Sequence, residues 1–317
     1  MAKRRSLLTR FLRMVLLLGL VLVGVSLVVV WQVGAWNLVF PSHHHDIVAP
    51  VIPSDMVSPA VLVFSKTNSF RHTEGIAGGV KALQTITGAQ QWGMFHTENG
   101  AVFNENDLAR FDVVVFLNAS GDVLSDEQEG EFQSWLQAGG GWLGIHSAGD
   151  DSHSEWQWYT DNLIGATFTA HIMGPQFQSA TVVMENQAHP VLLDMPDTWQ
   201  HEEEWYSWEQ SPRVEGFTVL ASLDEASYSP VQKFMDYERD LRMGDHPVVW
   251  ANCVGDGRSV YAAMGHKAES FEQPVFRQLI LNALSWLIYA EACPFLPEPD
   301  DNVITSVSSA GISPSGN

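Results

Sequence analysis

Residues 111–148 read FDVVVFLNASGDVLSDEQEGEFQSWLQAGGGWLGIHSA, and the fold follows from that stretch. Phe111 to Leu117 (FDVVVFL) is short, β-branched and apolar, the clearest buried strand in the chain. Ser125 then opens a helix, with Gln128 three residues later completing a capping box. Phe132, Trp135 and Leu136 point inward from that helix, and Gly139-Gly140-Gly141 ends it. Trp142 to His146 (WLGIH) is a second buried strand. Strand and helix alternating at this spacing predict a parallel sheet with helices on both faces.

The pattern extends in both directions. Upstream, Ala60 to Ser65 (AVLVFS) and Trp92 to His96 read as strands, separated by a helix over Glu74 to Thr87 with Ile76, Val80 and Leu83 on one face. Asn104 caps a helical stretch to Arg110. Downstream, Ser179 to Met184, Phe217 to Leu220, Pro247 to Asn252 and Ser259 to Ala263 are strand-like. Pro274 to Tyr289 is a closing helix that buries Phe276, Leu279, Ile280, Ala283 and Leu287. No internal repeat interrupts this order. The expected fold is α/β, a doubly wound and mostly parallel sheet over residues 60–292, about the right size for one domain.

The N-terminus predicts where that domain sits. Met14 to Val33 carries no charged side chain, and Lys3, Arg4, Arg5, Arg10 and Arg13 precede it. Twenty helical residues rise roughly 30 Å, the thickness of a bilayer's hydrocarbon core. Cations on the N-terminal side keep that end cytoplasmic and send the rest across, so the main domain is expected to be periplasmic or extracellular. Trp31 and Trp36 suit an aromatic belt at the exit. A cleavable signal peptide is the rival, since Val33-Gly34-Ala35 resembles a cleavage site, but the apolar run exceeds the usual h-region of roughly 7–15 residues. Residues 1–36 are therefore read as a basic tip and membrane anchor. Residues 37–59, with Pro41, Pro50, Pro53, Pro59 and the run His43, His44, His45, are read as a tether. Residues 293–317 are expected to be a disordered tail.

Charge excludes one class of partner. The chain has 16 Lys and Arg against 37 Asp and Glu, a net charge of −21, and five of those cations belong to the anchor. A domain this acidic repels phosphate backbones, so nucleic acid is not an expected partner. Only Cys253 and Cys293 occur; an oxidising compartment would let them pair, and two buried thiols is the alternative. Neither lies in a C-x-x-C.

In open α/β sheets ligands bind at the carboxyl ends of the strands. The first strand delivers Ser65 through Asn68, Phe70, Arg71 and His72 there; FDVVVFL delivers Asn118 to Asp122; WLGIH delivers His146 and Ser147. Phe64-Ser65 through Phe70-Arg71-His72, the GGGWLGIHSA stretch, Leu163 to Phe168 followed by His171, His189-Pro190, Glu203-Glu204-Trp205-Tyr206, and Gly257-Arg258 through Met264-Gly265-His266 resemble the successive motifs of ThuA-like domains, named for trehalose utilisation. The resemblance spans about residues 60 to 290. It implies a class I glutamine amidotransferase-like fold, a flavodoxin-like three-layer arrangement, and a connection with sugar metabolism. Where amidotransferases of that superfamily present a cysteine nucleophile, His146 stands in this chain, and an imidazole cannot form the thioester. Glutaminase activity is excluded on that ground. Ser147 lacks the G-x-S-x-G setting of a hydrolase nucleophile.

The expected site is a pocket of imidazoles and carboxylates. His146, His72 and Glu204 are the candidate acid, base or ligand groups, and Arg71, Asn118, Ser147, His171, Tyr206 and His266 the candidate substrate contacts. A divalent metal such as zinc would suit His146, His171 and Glu203, although no pair has the i, i+4 spacing of a helical zinc motif. Trp156, Trp158, Tyr159, Trp199, Trp205, Tyr206 and Trp208 crowd the second half, and a carbohydrate ligand would stack on one or two such rings. Three readings remain: a membrane-anchored enzyme acting on a carbohydrate or its derivative, a non-catalytic sugar-binding or scaffold module, and, suggested by the acidic surface and tether, a structural role at the cell surface.

Overall fold

The computed structural model describes residues 2–234 and 237–290. In chain order its strands are β1 (Ala60–Phe64), β2 (Gly93–Thr97), β3 (Val113–Leu117), β4 (Gly141–Ile145), β5 (Phe168–His171), β6 (Gln178–Met184), β7 (Thr198–Glu203), β8 (Tyr206–Trp208), β9 (Thr218–Asp224), β10 (Val231–Phe234), β11 (Tyr237–Asp240), β12 (Pro247–Val254) and β13 (Gly257–Ala262). The helices are α1 (Ala2–Gln32), the single turn α2 (Trp36–Val39), α3 (Thr73–Gln90), the short α4 (Glu105–Leu108), α5 (Asp126–Gln137), the short α6 (Gln157–Tyr159) and α7 (Pro274–Tyr289).

Nine strands form one sheet in the order β2-β1-β3-β4-β13-β12-β9-β6-β7. The first five pair in parallel. The remaining four continue the sheet antiparallel. Only β12 and β6 run against the rest, so the other strands end on one rim. Two small antiparallel ladders, β5 with β8 and β10 with β11, lie outside this sheet.

The parallel half is buried on both faces, which is why its strands read as continuous apolar runs. Neighbouring side chains on β3 show the two layers, because successive residues of a strand face opposite ways. Leu117 lies against Gly79 of α3, where a β-carbon would come within 2.4 Å of it. Phe116 stacks on Phe132 of α5 at 5.4 Å. Phe116 also meets Phe64, Phe103, Trp142 and Tyr159, so truncating it to Ala would cost about 3–5 kcal/mol. The capping box at Ser125 and Gln128 forms in both directions. On the antiparallel side β7 alternates exposed and buried residues, as a strand with one wet face must.

Within α1, Thr9–Gln32 is long and apolar enough to cross a membrane, with a mean hydropathy of 2.9 and none of it buried. Its end is fastened to the domain. The Arg71 N–H donates to Gly34 O at 2.9 Å, and the Asn37 side-chain amide donates to Thr67 O at 2.9 Å. Past α2, the segment expected as a tether has no helix or strand before β1, yet it contacts the rim. The Lys66 ammonium bonds His44 O at 2.7 Å and Asp46 at 2.6 Å, and His45 Nε2 bonds Asp122 at 2.7 Å. Among the described residues no cysteine is free. The expected partner of Cys253, Cys293, lies outside the described residues, as does the expected C-terminal tail.

Candidate functional site

Four chain segments that end on the same rim bring their polar groups to one point. His72 follows β1 and begins α3; His146 follows β4; Glu204 follows β7; His266 follows β13. β7 stands five places from β4 in the sheet order, which is about 24 Å at the usual strand spacing. Nevertheless His146 Nε2 lies 3.4 Å from Glu204 Oε2. The antiparallel half of the sheet therefore curls back over the rim.

Local backbone geometry aims these side chains. His146 has φ +51°, a left-handed conformation that costs a non-glycine residue roughly 1–2 kcal/mol and turns its ring inward directly after the strand. Asn118, at the end of the neighbouring β3, shares φ +51°. Gly75 permits α3 to approach the His266 segment, since a β-carbon there would lie 2.5 Å from the carbonyl oxygens of Gly265 and His266.

Glu204 is the hub. Its Oε2 is 3.0 Å from His266 Nδ1, and its Oε1 is 3.1 Å from His171 Nδ1 and 2.5 Å from the amide nitrogen of Gln176. His146 Nε2 is 3.1 Å from His266 Nδ1 and 3.1 Å from the Tyr206 hydroxyl. The other His146 nitrogen, Nδ1, donates to Ala263 O at 2.8 Å, which leaves Nε2 for the cluster. His72 stands edge-on to both His146 and His266, with ring centroids 4.7 and 4.5 Å away. His146 is closed to solvent and Glu204 nearly so, whereas His266 and His171 keep 15% and 23% side-chain exposure and are the outer members of the cluster. One donor atom each from His72, His146, Glu204 and His266 lies within 4.8 Å of the other three, the arrangement that could hold a metal ion.

The electrostatics follow from burial and mutual charge. Burial raises the Glu204 carboxyl, but hydrogen bonds to His146 and His266 outweigh it and hold the group far below the carboxylate range. Burial lowers His146, while the Glu204 hydrogen bond and the Glu203 and Glu204 charges more than compensate, so its net shift is upward. His72 moves the other way: burial and the charges of His146 and His266 push it well below 6.5 and keep it neutral. Tyr206 stays protonated, raised by burial and by the Glu204 charge.

Not every expected residue reaches this point. Glu203 turns to the Gly265 N–H and the Ser270 hydroxyl, both at 2.7 Å, and it is Glu204 rather than Glu203 that meets the imidazoles. Burial would raise Glu203, but the His201 contact and the His146 and His201 charges bring it down to about 2. Arg71 pairs with Glu98 at 2.6 Å on the surface. Asn118 and Ser147 are buried; Asn118 donates to Gly265 O at 3.0 Å and accepts from Ser147 Oγ at 3.3 Å, so they hold the rim loops together. Of the aromatic residues, Tyr159, Trp199, Trp205, Tyr206 and Trp208 belong to the core. Trp156 lines a separate cleft of about 470 Å³ with Asp122, Glu129, His43 and His45. The sequence reading missed Gln176 and Phe177, whose ring lies 4.9 Å from His266, because an irregular loop carries no periodic signal.

Comparison with known proteins identifies the family and the fold. Residues 60–287 match the sequence model of the family ThuA, described as trehalose utilisation. No curated protein matches. A ThuA-like protein from Bacteroides uniformis ATCC 8492 is similar in structure, with a TM-score of 0.63 and 24% identity over 75% of this chain and 95% of that one. A second, from Parabacteroides merdae ATCC 43184, has a TM-score of 0.57 and 15% identity over 76% of this chain and 93% of that one. At these identities the likeness speaks for the fold.

Proposed function

Because this chain belongs to the ThuA family, we propose that it acts on a carbohydrate or carbohydrate derivative through the His/Glu pocket at the carboxyl ends of its strands. The protein is held to a membrane by α1, with the domain on the extracytoplasmic side and a class I glutamine amidotransferase-like fold without glutaminase activity. One observation carries the reading: a buried, ionised Glu204 is ringed by His146, His171 and His266 at 3.0–3.4 Å. So many titratable groups at one point exceed what the sheet needs for stability and are typical of chemistry.

Roles follow from position. His266 and His171 meet an incoming hydroxyl or carbonyl first, since they are the exposed members. Neutral His72 can accept a hydrogen bond from a substrate, and His146, its Nδ1 committed to Ala263 O, presents Nε2 beside it. Glu204 orients both His146 and His266 through its buried carboxylate. Phe177 lies edge-on beside His266 and beneath the Lys267 ammonium, which places a cation and an aromatic ring next to the exposed imidazole.

The test is a panel of disaccharides, beginning with trehalose, and their oxidised or phosphorylated derivatives, assayed with wild type and His146→Ala. Turnover by wild type and its loss in the folded variant support the proposal; equal turnover by both overturns it. Full burial of His146 favours a second reading, a sugar-binding module without turnover. Binding without conversion by both proteins would support that one.

A further inference from the structure

The donor separations in the pocket fit one object better than a network of hydrogen bonds. Three donors, His146 Nε2, His266 Nδ1 and Glu204 Oε2, form a triangle with sides of 3.1, 3.0 and 3.4 Å. Zinc held by such ligands at about 2.0–2.1 Å sets neighbouring donors about 3.3 Å apart in a tetrahedron, and about 2.9 Å apart in an octahedron. The observed triangle lies between these values. We propose that His146, His266, Glu204 and His72 form the ligand set of a divalent transition-metal centre, with zinc as the matching ion.

Three further observations point the same way. His146 Nδ1 donates to Ala263 O, which fixes the tautomer with a bare Nε2 facing the triangle, the outer-shell arrangement usual for a metal-bound histidine. Nδ1 of His72 is buried with no hydrogen-bond partner, a cost that a ligand in the pocket would remove. Three imidazoles with ring centroids 4.5–5.0 Å apart around one carboxylate offer more lone pairs than shared protons can satisfy. Imidazole nitrogens with a carboxylate oxygen are the donors of zinc and its neighbours, and the absence of thiolate in the set speaks against softer ions. Glu203 acts from outside, holding the Gly265 N–H at 2.7 Å so that the following His266 stays on the triangle. His171, on the other oxygen of Glu204, is left to face a substrate.

This centre shares the pocket of the proposed function, but its ion content is read without any sugar, so either idea can fail alone. The experiment uses full-length protein in detergent, stripped with chelator and then titrated with Zn²⁺ by calorimetry and with Co²⁺ by visible absorption. One ion per chain is expected, with Co²⁺ bands of a low-coordinate site and a higher melting temperature in the loaded protein. Glu204→Gln and His266→Asn, checked for folding by circular dichroism, should bind more than about tenfold more weakly. A variant with His43, His44 and His45 all replaced by Ala separates this site from the histidine run before β1, and it should keep the ion. Failure of the stripped wild type to bind either metal, or loss of binding in the triple variant with retention in Glu204→Gln, overturns the proposal.

Discussion

His146 Nε2 and Glu204 Oε2 stand 3.4 Å apart although they follow strands at positions four and nine of the sheet. A pair this buried is costly to break, because the remaining charge keeps its desolvation penalty. Glu204 retains His266 and His171, so His146→Ala should lose on the order of 2 kcal/mol of stability rather than the 3–5 of an isolated buried pair. Activity on a true substrate should fall by at least about 100-fold. Denaturant titration and initial rates check the two numbers separately.

The backbone of His146 makes a second, independent prediction. At φ +51° alanine pays the same left-handed penalty as histidine, whereas glycine does not. His146→Gly should therefore be about 1 kcal/mol more stable than His146→Ala, in spite of glycine's larger chain entropy. Urea midpoints of the two variants, compared at equal m, decide it.

Acid should weaken the fold in a defined window. His153, buried and donating from Nε2 to Ala119 O at 3.0 Å, is lowered by burial to about 4. A histidine depressed on folding contributes stability that is complete above pH 6.5 and is lost as pH falls through 6.5 towards 4, because only the unfolded chain takes the proton. The full effect is on the order of 3 kcal/mol. Stability measured from pH 7.5 to 4 should fall, and the slope should shrink in His153→Gln; an unchanged slope would remove His153 as the cause. His189, also lowered to about 4 by burial, keeps its share in that variant.

Docking of the apolar helix α1 to the domain rests on a glycine. Gly34 has φ +79°, and a β-carbon on it would lie 2.2 Å from Arg71 O. Gly34→Leu should open the junction and expose the Arg71 N–H now bonded to Gly34 O. Hydrogen exchange at Arg71 should accelerate by more than about tenfold, while β1 and β3 keep their protection.

Much of the fold is legible in residues 60–146 because each element there carries its own local signal. Buried strands are apolar throughout, helices repeat near every third or fourth residue, and Ser125 with Gln128 marks one helix start by chemistry. That signal fades in the antiparallel half. Residues 198–203 read TWQHEE, and alternation in a strand with one wet face is easily taken for a loop; β5 and β8 are too short to show a period. The segment before Ala60 is rich in proline, which predicts the lack of regular structure but says nothing of the contacts Asp46 and His45 make with the rim.

By itself the sequence determined an α/β domain behind an apolar N-terminal helix, and it determined that a histidine stands after the glycine-rich strand, since these depend on neighbouring residues. Only the tertiary structure decided that Glu204 and not Glu203 joins His146, and that Arg71 and Ser147 stay outside. Successive residues at a strand end point to opposite faces, and which face looks into the pocket is set by how far the whole sheet coils. That coiling is a sum over nine strands, and no short stretch of chain encodes it.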